Sequence, residues 1–291
     1  MKRFIPSETP LPELHQLLVG SIAPRPIAFA STINGNGQLN LAPYSFFNCF
    51  SSNPPTLIFS SNRKVSDNTT KDTLANIKTN REVVINVVTE RMVYQMSLAS
   101  ISYDHGVSEF EKAGFTPIKS ELVKPFRVKE SPVQFECLVK DIIPLGDQGG
   151  AGNLFICEVQ AIHADERIFD EKGRMDPTKM NLVGRMGRAF YTKTNEDSIF
   201  RIFQPVNEIG VVVEQLPRDI VQSEVLTGKH IWQLARVVQV PKANGIINPD
   251  IEKQLNATTD VTAHHQIIKS LLNQEQVDMA WKVIQKLYPT A

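Results

Sequence analysis

The chain has 291 residues, 42% of them hydrophobic, enough to bury a sizeable core in one large domain or two smaller ones. Its 31 Lys plus Arg equal its 31 Asp plus Glu, and this zero formal charge argues against a dedicated nucleic-acid binder, although a local pair such as Arg185 and Arg188 can still meet a single phosphate. No apolar stretch is long enough for a signal peptide or a membrane span, so a soluble, cytoplasmic protein with no membrane partner is expected.

The elements follow in chain order. Pro24-Arg25-Pro26 leads into the apolar run Ile27 to Thr32, and Asn34-Gly35-Asn36-Gly37 then signals a tight hairpin before Leu39 to Ser45. Asn53-Pro54-Pro55 forces a loop ahead of Thr56 to Phe59, a segment that ends in Ser60-Ser61-Asn62-Arg63. Lys71 to Lys78 reads as a short helix capped by Thr70 or Asp72, and Arg81 to Val88 as the next strand. A mixed helix and loop excursion over 91–130 contains a short helix, Glu109 to Phe115, with a glycine stop at Gly114. Val133, Phe135, Cys137 and Val139 alternate with Gln134, Glu136 and Lys140, the period of a half-exposed antiparallel strand. The glycine-rich stretch 146–152 joins it to a partner strand, Leu154 to His163.

The last ninety or so residues read differently. A strand is expected over Ile209 to Val213 and a turn or short helix over Ser223 to Gly228. Helical spacing then recurs from His264 and again from Val277, with Asn273 and Gln276 as a capping pair between the two helices. These helices are expected to pack on the strands or on a second subunit, and His264-His265 to sit at a surface helix start. The division predicted is 1–200 and 201–291, the second part being a helical extension. Cys49, Cys137 and Cys157 are odd in number and lack metal-ligand spacing, so buried reduced thiols and no metal site are expected. Strands joined by hairpins, with helices inserted, favour an antiparallel barrel over a parallel sheet.

Hydroxyls, amides and cations gather at the ends of the early strands, which suits a phosphorylated, hydrogen-bonding ligand such as a flavin nucleotide. Ala42-Pro43-Tyr44-Ser45 and Ser60-Ser61-Asn62 offer the apolar and polar mixture that a flavin ring needs. Arg63 or Lys71, with Thr73 at a helix start, offers a cation and N–H groups to a phosphate. No dinucleotide fingerprint, Walker loop, zinc-binding His-Glu-x-x-His or nucleophile elbow is present.

The order Ala23 to Thr32, Asn40 to Phe47, Asn53-Pro54-Pro55, Lys71-Asp72-Thr73 with Asn76, Glu109-Phe110, Glu130-Ser131-Pro132, His163, Gly184-Arg185-Met186-Gly187 and Tyr191 resembles the flavin reductase-like family over roughly residues 15–195. The resemblance implies an FMN-binding split β-barrel, mainly β with inserted helices, and an oxidoreductase that passes hydride from NADH or NADPH to flavin. FMN is favoured, with FAD as the other candidate flavin. A flavin-dependent monooxygenase and a second copy of the chain are the implied partners, the pocket lying at a dimer interface. Its implied cofactor-binding residues are Arg25, Pro26, Ala42, Pro43, Tyr44, Ser45, Ser60, Ser61, Asn62, Arg63, Lys71, Asp72, Thr73, Asn76 and Arg185. His163 is implied as a nicotinamide contact, and hydride transfer between the two rings calls for no catalytic acid or base.

Read without the resemblance, Arg25 is a solvated loop cation, Lys71-Asp72-Thr73 an ordinary helix start, Arg185 a partner for an acidic residue and His163 a structural histidine. The alternative function is an FMN-binding electron carrier with no nicotinamide activity of its own.

Overall fold

In a computed structural model that describes residues 1–202, 210–241 and 246–289, most strand-forming runs of the first 200 residues pair into one antiparallel sheet. Its elements begin with α1 (Leu11–Ser21), β1 (Ala28–Ile33), β2 (Leu39–Tyr44), β3 (Phe47–Ser52), β4 (Pro55–Asn62), α2 (Asp72–Asn80) and β5 (Glu82–Asn86). They continue with α3 (Val93–Leu98), α4 (Glu109–Ala113), β6 (Pro117–Ile118), β7 (Arg127–Val128), β8 (Val133–Pro144) and β9 (Gly152–Ala164). The short α5 (Pro177–Met180), β10 (Val183–Arg185) and β11 (Tyr191–Lys193) close this part. Seven of the strands join in the order β2-β1-β5-β8-β9-β4-β3, while β6-β7 and β10-β11 form separate two-stranded ribbons. The expected mainly antiparallel sheet with inserted helices is present; no ladder joins β3 to β2 among the described residues, so the strands do not show a closed barrel.

The sheet nevertheless curls around one core. Ala28, Ala30, Tyr44, Phe59, Ile85, Cys137 and Phe155, drawn from six strands, meet in a single buried cluster into which α2 inserts Leu74 and Ile77. Strand alternation sends Phe29 and Leu41 to the opposite face, where Met92, Met96 and Ala99 and Phe110 of α4 cover them. Both faces of β1 are therefore buried, which is why its run is apolar without alternation. The β1–β2 hairpin turns where the Asn-Gly pairs predict, with Gly37 at φ 81°, and Gly114 ends α4 in the left-handed conformation at φ 71°.

Several expectations change. Helix α2 has Lys71, not Thr70 or Asp72, at its N-cap, and no side chain caps it. Gln134 and Glu136 are buried rather than facing water on β8, because the 119–127 segment folds over that face. Glu136 accepts backbone N–H bonds from Glu121 (2.9 Å) and Leu122 (2.6 Å), and Arg127 Nη1 lies 3.4 Å from Gln134 Oε1. Cys49 is exposed on β3, whereas Cys137 and Cys157 are buried free thiols.

Residues Arg201–Ala291 form a second compact unit. Its helices are α6 (Arg218–Val221), α7 (Gly228–Ala235), α8 (Pro249–Asn256), α9 (Val261–Asn273) and α10 (Val277–Leu287). Ile268, Leu271 and Leu272 of α9 meet Ala280, Trp281 and Ile284 of α10 and Leu234 of α7 in a core of the unit's own. Ile209 lies outside the described residues; Gly210 to Val212 are not a strand, although Val211 N–H and Val212 N–H reach Val237 and Ala235 carbonyls. Asn273 does not cap α10, whose N-cap is Gln276; Asn273 Oδ1 instead meets His230 Nε2 at 3.0 Å. His265 is buried inside α9 between Ser223 Oγ and Tyr288 Oη, so it is no surface helix start. No described helix is long and apolar enough to cross a membrane.

Glu136 supplies a test. Burial pushes its pKa up, but bonds from Glu121, Leu122 and His163 outweigh that and hold it below 4.5. A carboxylate depressed in the folded state stabilises at neutral pH, and that contribution is lost as pH falls through the folded pKa. Glu136→Gln should lower stability at pH 7 by about 1–3 kcal/mol and flatten the loss of stability below pH 4.5, read from urea melts across pH.

Candidate functional site

Two neighbouring cavities are walled by the same two segments, the end of β2 and the stretch that begins in α3. The larger, about 370 Å³, is lined by Ile27, Pro43 and Met96, by the hydroxyls of Ser45, Ser97 and Ser100, and by Tyr44, Arg185 and Tyr191. Arg185 and Tyr191 enter together because β10 and β11 pair them across the ribbon. The guanidinium lies 4.6 Å from the Tyr191 ring centroid and donates to Arg188 O at 2.7 Å, which fixes its plane.

The smaller cavity, about 90 Å³, is lined by Asn40, Ala42, Lys64, Thr70, Lys71, Asp72 and Glu109, with Ala99 and Ile101 to Tyr103 on the other side. The start of α2 opens here with no side-chain cap, so its first N–H groups keep their pull on an anion. Lys71 Nζ lies 5.3 Å from the Tyr44 ring centroid; burial lowers its pKa, opposed by Glu109, whose own pKa burial raises.

A buried hydrogen-bond network sets where these walls stand. Tyr44 Oη donates to Thr73 Oγ1 at 2.8 Å, and Asn40 Nδ2 reaches Thr73 Oγ1 and Thr32 Oγ1, both at 3.0 Å. Asn76 Nδ2 donates to Thr32 Oγ1 at 3.0 Å. Thr73 and Asn76 thus face β1 and β2 rather than a cavity. Burial pushes the Tyr44 phenol up to about 12.

The other residues singled out in the sequence fall into separate places. Arg25 is buried, not solvated: Nη1 donates to the carbonyls of Val19 and Ile22 at the end of α1, and Nε lies 3.5 Å from Ser45 Oγ. It stands behind the larger cavity, while Pro26 beside it is exposed and lines neither. Asn62 and Arg63 anchor loops, and Ser60 holds Asn62. Ser60 Oγ donates to Asn62 Oδ1 (3.0 Å), Asn62 Nδ2 to Gly150 O (3.1 Å), and Arg63 Nε to Asn68 Oδ1 (2.6 Å). Ser61 is buried beside the Tyr44 hydroxyl. His163 Nε2 lies 2.7 Å from the buried Glu136 Oε1, and His163 lines neither cavity. The sequence reading missed Met96, Ser97 and Ser100 as cavity walls; they lie in the 91–130 excursion, whose pattern carries no ligand signal.

The chemistry of the larger cavity suits an isoalloxazine: apolar surfaces for the ring faces, hydroxyls and a fixed cation for its polar edge. The smaller one, with Lys64, Lys71 and an uncapped helix start, suits the phosphate of the same mononucleotide.

The family model described as flavin reductase like domain matches residues 20–180. The chain belongs to the flavin reductase-like family. Nitrilotriacetate monooxygenase component B from Bacillus cereus is 33% identical, with a TM-score of 0.65 over 69% of this chain and 98% of that one. The 2-nitrobenzoate 2-nitroreductase of Pseudomonas fluorescens is 29% identical, TM-score 0.62, over 71% of this chain and 98% of that one. A Shewanella frigidimarina protein with a split barrel domain, 21% identical over 68% of this chain and 95% of its own, shares the fold at a TM-score of 0.58. This flavin-binding family is one of oxidoreductases.

Tyr44→Phe removes the donor to Thr73 and should cost about 0.5–1.5 kcal/mol in denaturant melts. Spectrophotometric titration of the wild type should show one tyrosine that resists ionisation up to about pH 12 and is missing from the variant.

Proposed function

We propose that this protein is an FMN-dependent oxidoreductase that takes hydride from NADH or NADPH and delivers the electrons, as reduced flavin, to a partner flavin-dependent monooxygenase. The observation that carries the reading is the pair of adjoining cavities at the end of β2, one lined by apolar surface, hydroxyls and Arg185, the other by Lys64, Lys71 and the start of α2. The likeness to a monooxygenase component B supports the partner. The small phosphate cavity favours FMN over FAD, whose second phosphate and adenosine need a longer channel.

The flavin, when bound, supplies hydride acceptance and electron release. The chain's own groups bind and orient it. Pro43 and Ile27 present apolar surface to the ring, Ser45 offers a hydroxyl at its edge, and Arg185 places a fixed positive charge beside it. Lys71 and the start of α2 neutralise the phosphate. Arg25 acts as a positioning residue, tying Ser45 to the end of α1. No side chain is needed to move a proton in the hydride step, so variants of these residues should alter binding and geometry more than they abolish turnover.

A second copy of the chain is proposed to cover the exposed face of β3, where Cys49 and Phe50 lie open at the edge of the sheet. A cytoplasmic setting suits the nicotinamide donor and the free thiols.

Anaerobic stopped-flow mixing of FMN-loaded protein with NADH, then NADPH, should bleach the visible flavin band faster than free FMN is bleached. If a chemical reductant bleaches it and neither donor does, the protein is an electron carrier and the reductase reading fails. Lys71→Ala should raise the Kd for FMN about tenfold, the loss of about 1.4 kcal/mol of charge-assisted bonding, while leaving riboflavin affinity unchanged, both read by flavin fluorescence.

A further inference from the structure

A third cavity, about 320 Å³, lies away from both flavin cavities and shares no lining residue with them. Its floor includes Ser131, Ile168 and Met180, all buried, and its rim carries four cations, Arg91, Lys129, Arg167 and Lys179, against two carboxylates, Glu130 and Asp165. The sequence landmark Glu130-Ser131-Pro132 forms part of its wall, a segment to which the flavin reading gives no task.

The charges divide into committed and uncommitted groups. Asp165 is gripped by Arg167, whose Nε donates at 2.9 Å and 3.0 Å to the two carboxylate oxygens and whose Nη2 adds a bond of 2.5 Å. Both Glu130 oxygens take the Thr116 N–H, at 3.1 Å and 3.2 Å, and Lys179 Nζ donates to Phe169 O at 2.7 Å. Among the described residues, the guanidinium of Arg91 and the ammonium of Lys129 have no hydrogen-bond or ion-pair partner in the chain. Two unpaired cations on the rim of a concave surface focus positive potential into it. An Arg fork and a Lys point charge that line one cavity are suited to a phosphate group. The cavity volume falls in the range of about 300–1,000 Å³ typical of small-molecule sites, and the apolar floor gives the rest of such a molecule a surface to cover.

We propose that this basin binds the phosphate monoester of a small metabolite, with Arg91 and Lys129 as the groups that hold the phosphate. The site does not depend on the flavin assignment. Two sources share that chemistry, the 2′-phosphate of a nicotinamide dinucleotide donor and a free phosphomonoester.

The test is calorimetric titration of the full chain, saturated with FMN so that the place beside Lys71 is filled, at low ionic strength with inorganic phosphate, NADP⁺ and NAD⁺, repeated on Arg91→Ala/Lys129→Ala. Inorganic phosphate should bind saturably to the wild type and at least tenfold more weakly to the double variant, with thermal melts and FMN titration unchanged. The phosphate is that of the nicotinamide donor if NADP⁺ also binds at least tenfold more tightly than NAD⁺ and the variant erases the difference. It is that of a free phosphomonoester if phosphate binding responds to the variant but NADP⁺ and NAD⁺ bind alike. Absence of saturable phosphate binding, or binding that the double variant leaves intact, overturns the proposal. Lys129→Arg, which keeps the charge, should retain phosphate affinity within a factor of three; a tenfold loss there would show that the site does not act through charge.

Discussion

The hydrogen bond from Tyr44 to Thr73, with its extensions to Asn40, Thr32 and Asn76, is the constraint on which the rest of the site depends. It joins β1, β2 and α2 inside the core, where each polar group left without a partner would cost about 1–3 kcal/mol. Satisfied, the network fixes the start of α2 relative to the end of β2. That relation places Lys71 and the uncapped helix start beside Ala42, and Pro43 to Ser45 beside α3. The two cavities are both consequences of one piece of packing.

Arg25 extends the same logic to the other wall. Its guanidinium gathers the carbonyls of Val19 and Ile22 and lies 3.4 Å from Met186 O, so the end of α1 and the chain entering the β10–β11 turn converge behind Ser45. Burial, then the nearby charge of Arg185, lowers the Arg25 pKa. Backbone oxygens take the place of a carboxylate partner and hold the buried guanidinium.

Much of the fold was legible because it rests on local rules. Asn34 to Gly37 specifies a hairpin, Gly114 a helix stop, and the alternation from Val133 the inward face of β8. What escaped the sequence depends on distant contacts. The outward residues Gln134 and Glu136 read as solvated because nothing in their own strand announces that the 119–127 segment will cover them. The site was legible in part: Pro43, Tyr44, Ser45 and Arg185 meet at one cavity and Ala42, Lys71 and Asp72 at the next, since a short hairpin and a helix start keep them close. Asn62 and Arg63 belong to the same polar strand end, yet their bonds go to the 146–152 and 64–69 loops, and Ser60 spends its hydroxyl on Asn62. Residue type shows that a group can bind a ligand, and only the surrounding fold shows whether its bonds are already made.

The proposed site encloses the flavin between β2 and α3, with the phosphate at the start of α2. A crystal structure of the protein grown with FMN tests it most directly. The expected density is that of the ring against Pro43 to Ser45, with Arg185 at its edge, and of the phosphate beside Lys71. Density for a fully bound FMN at any other place on the chain would contradict it.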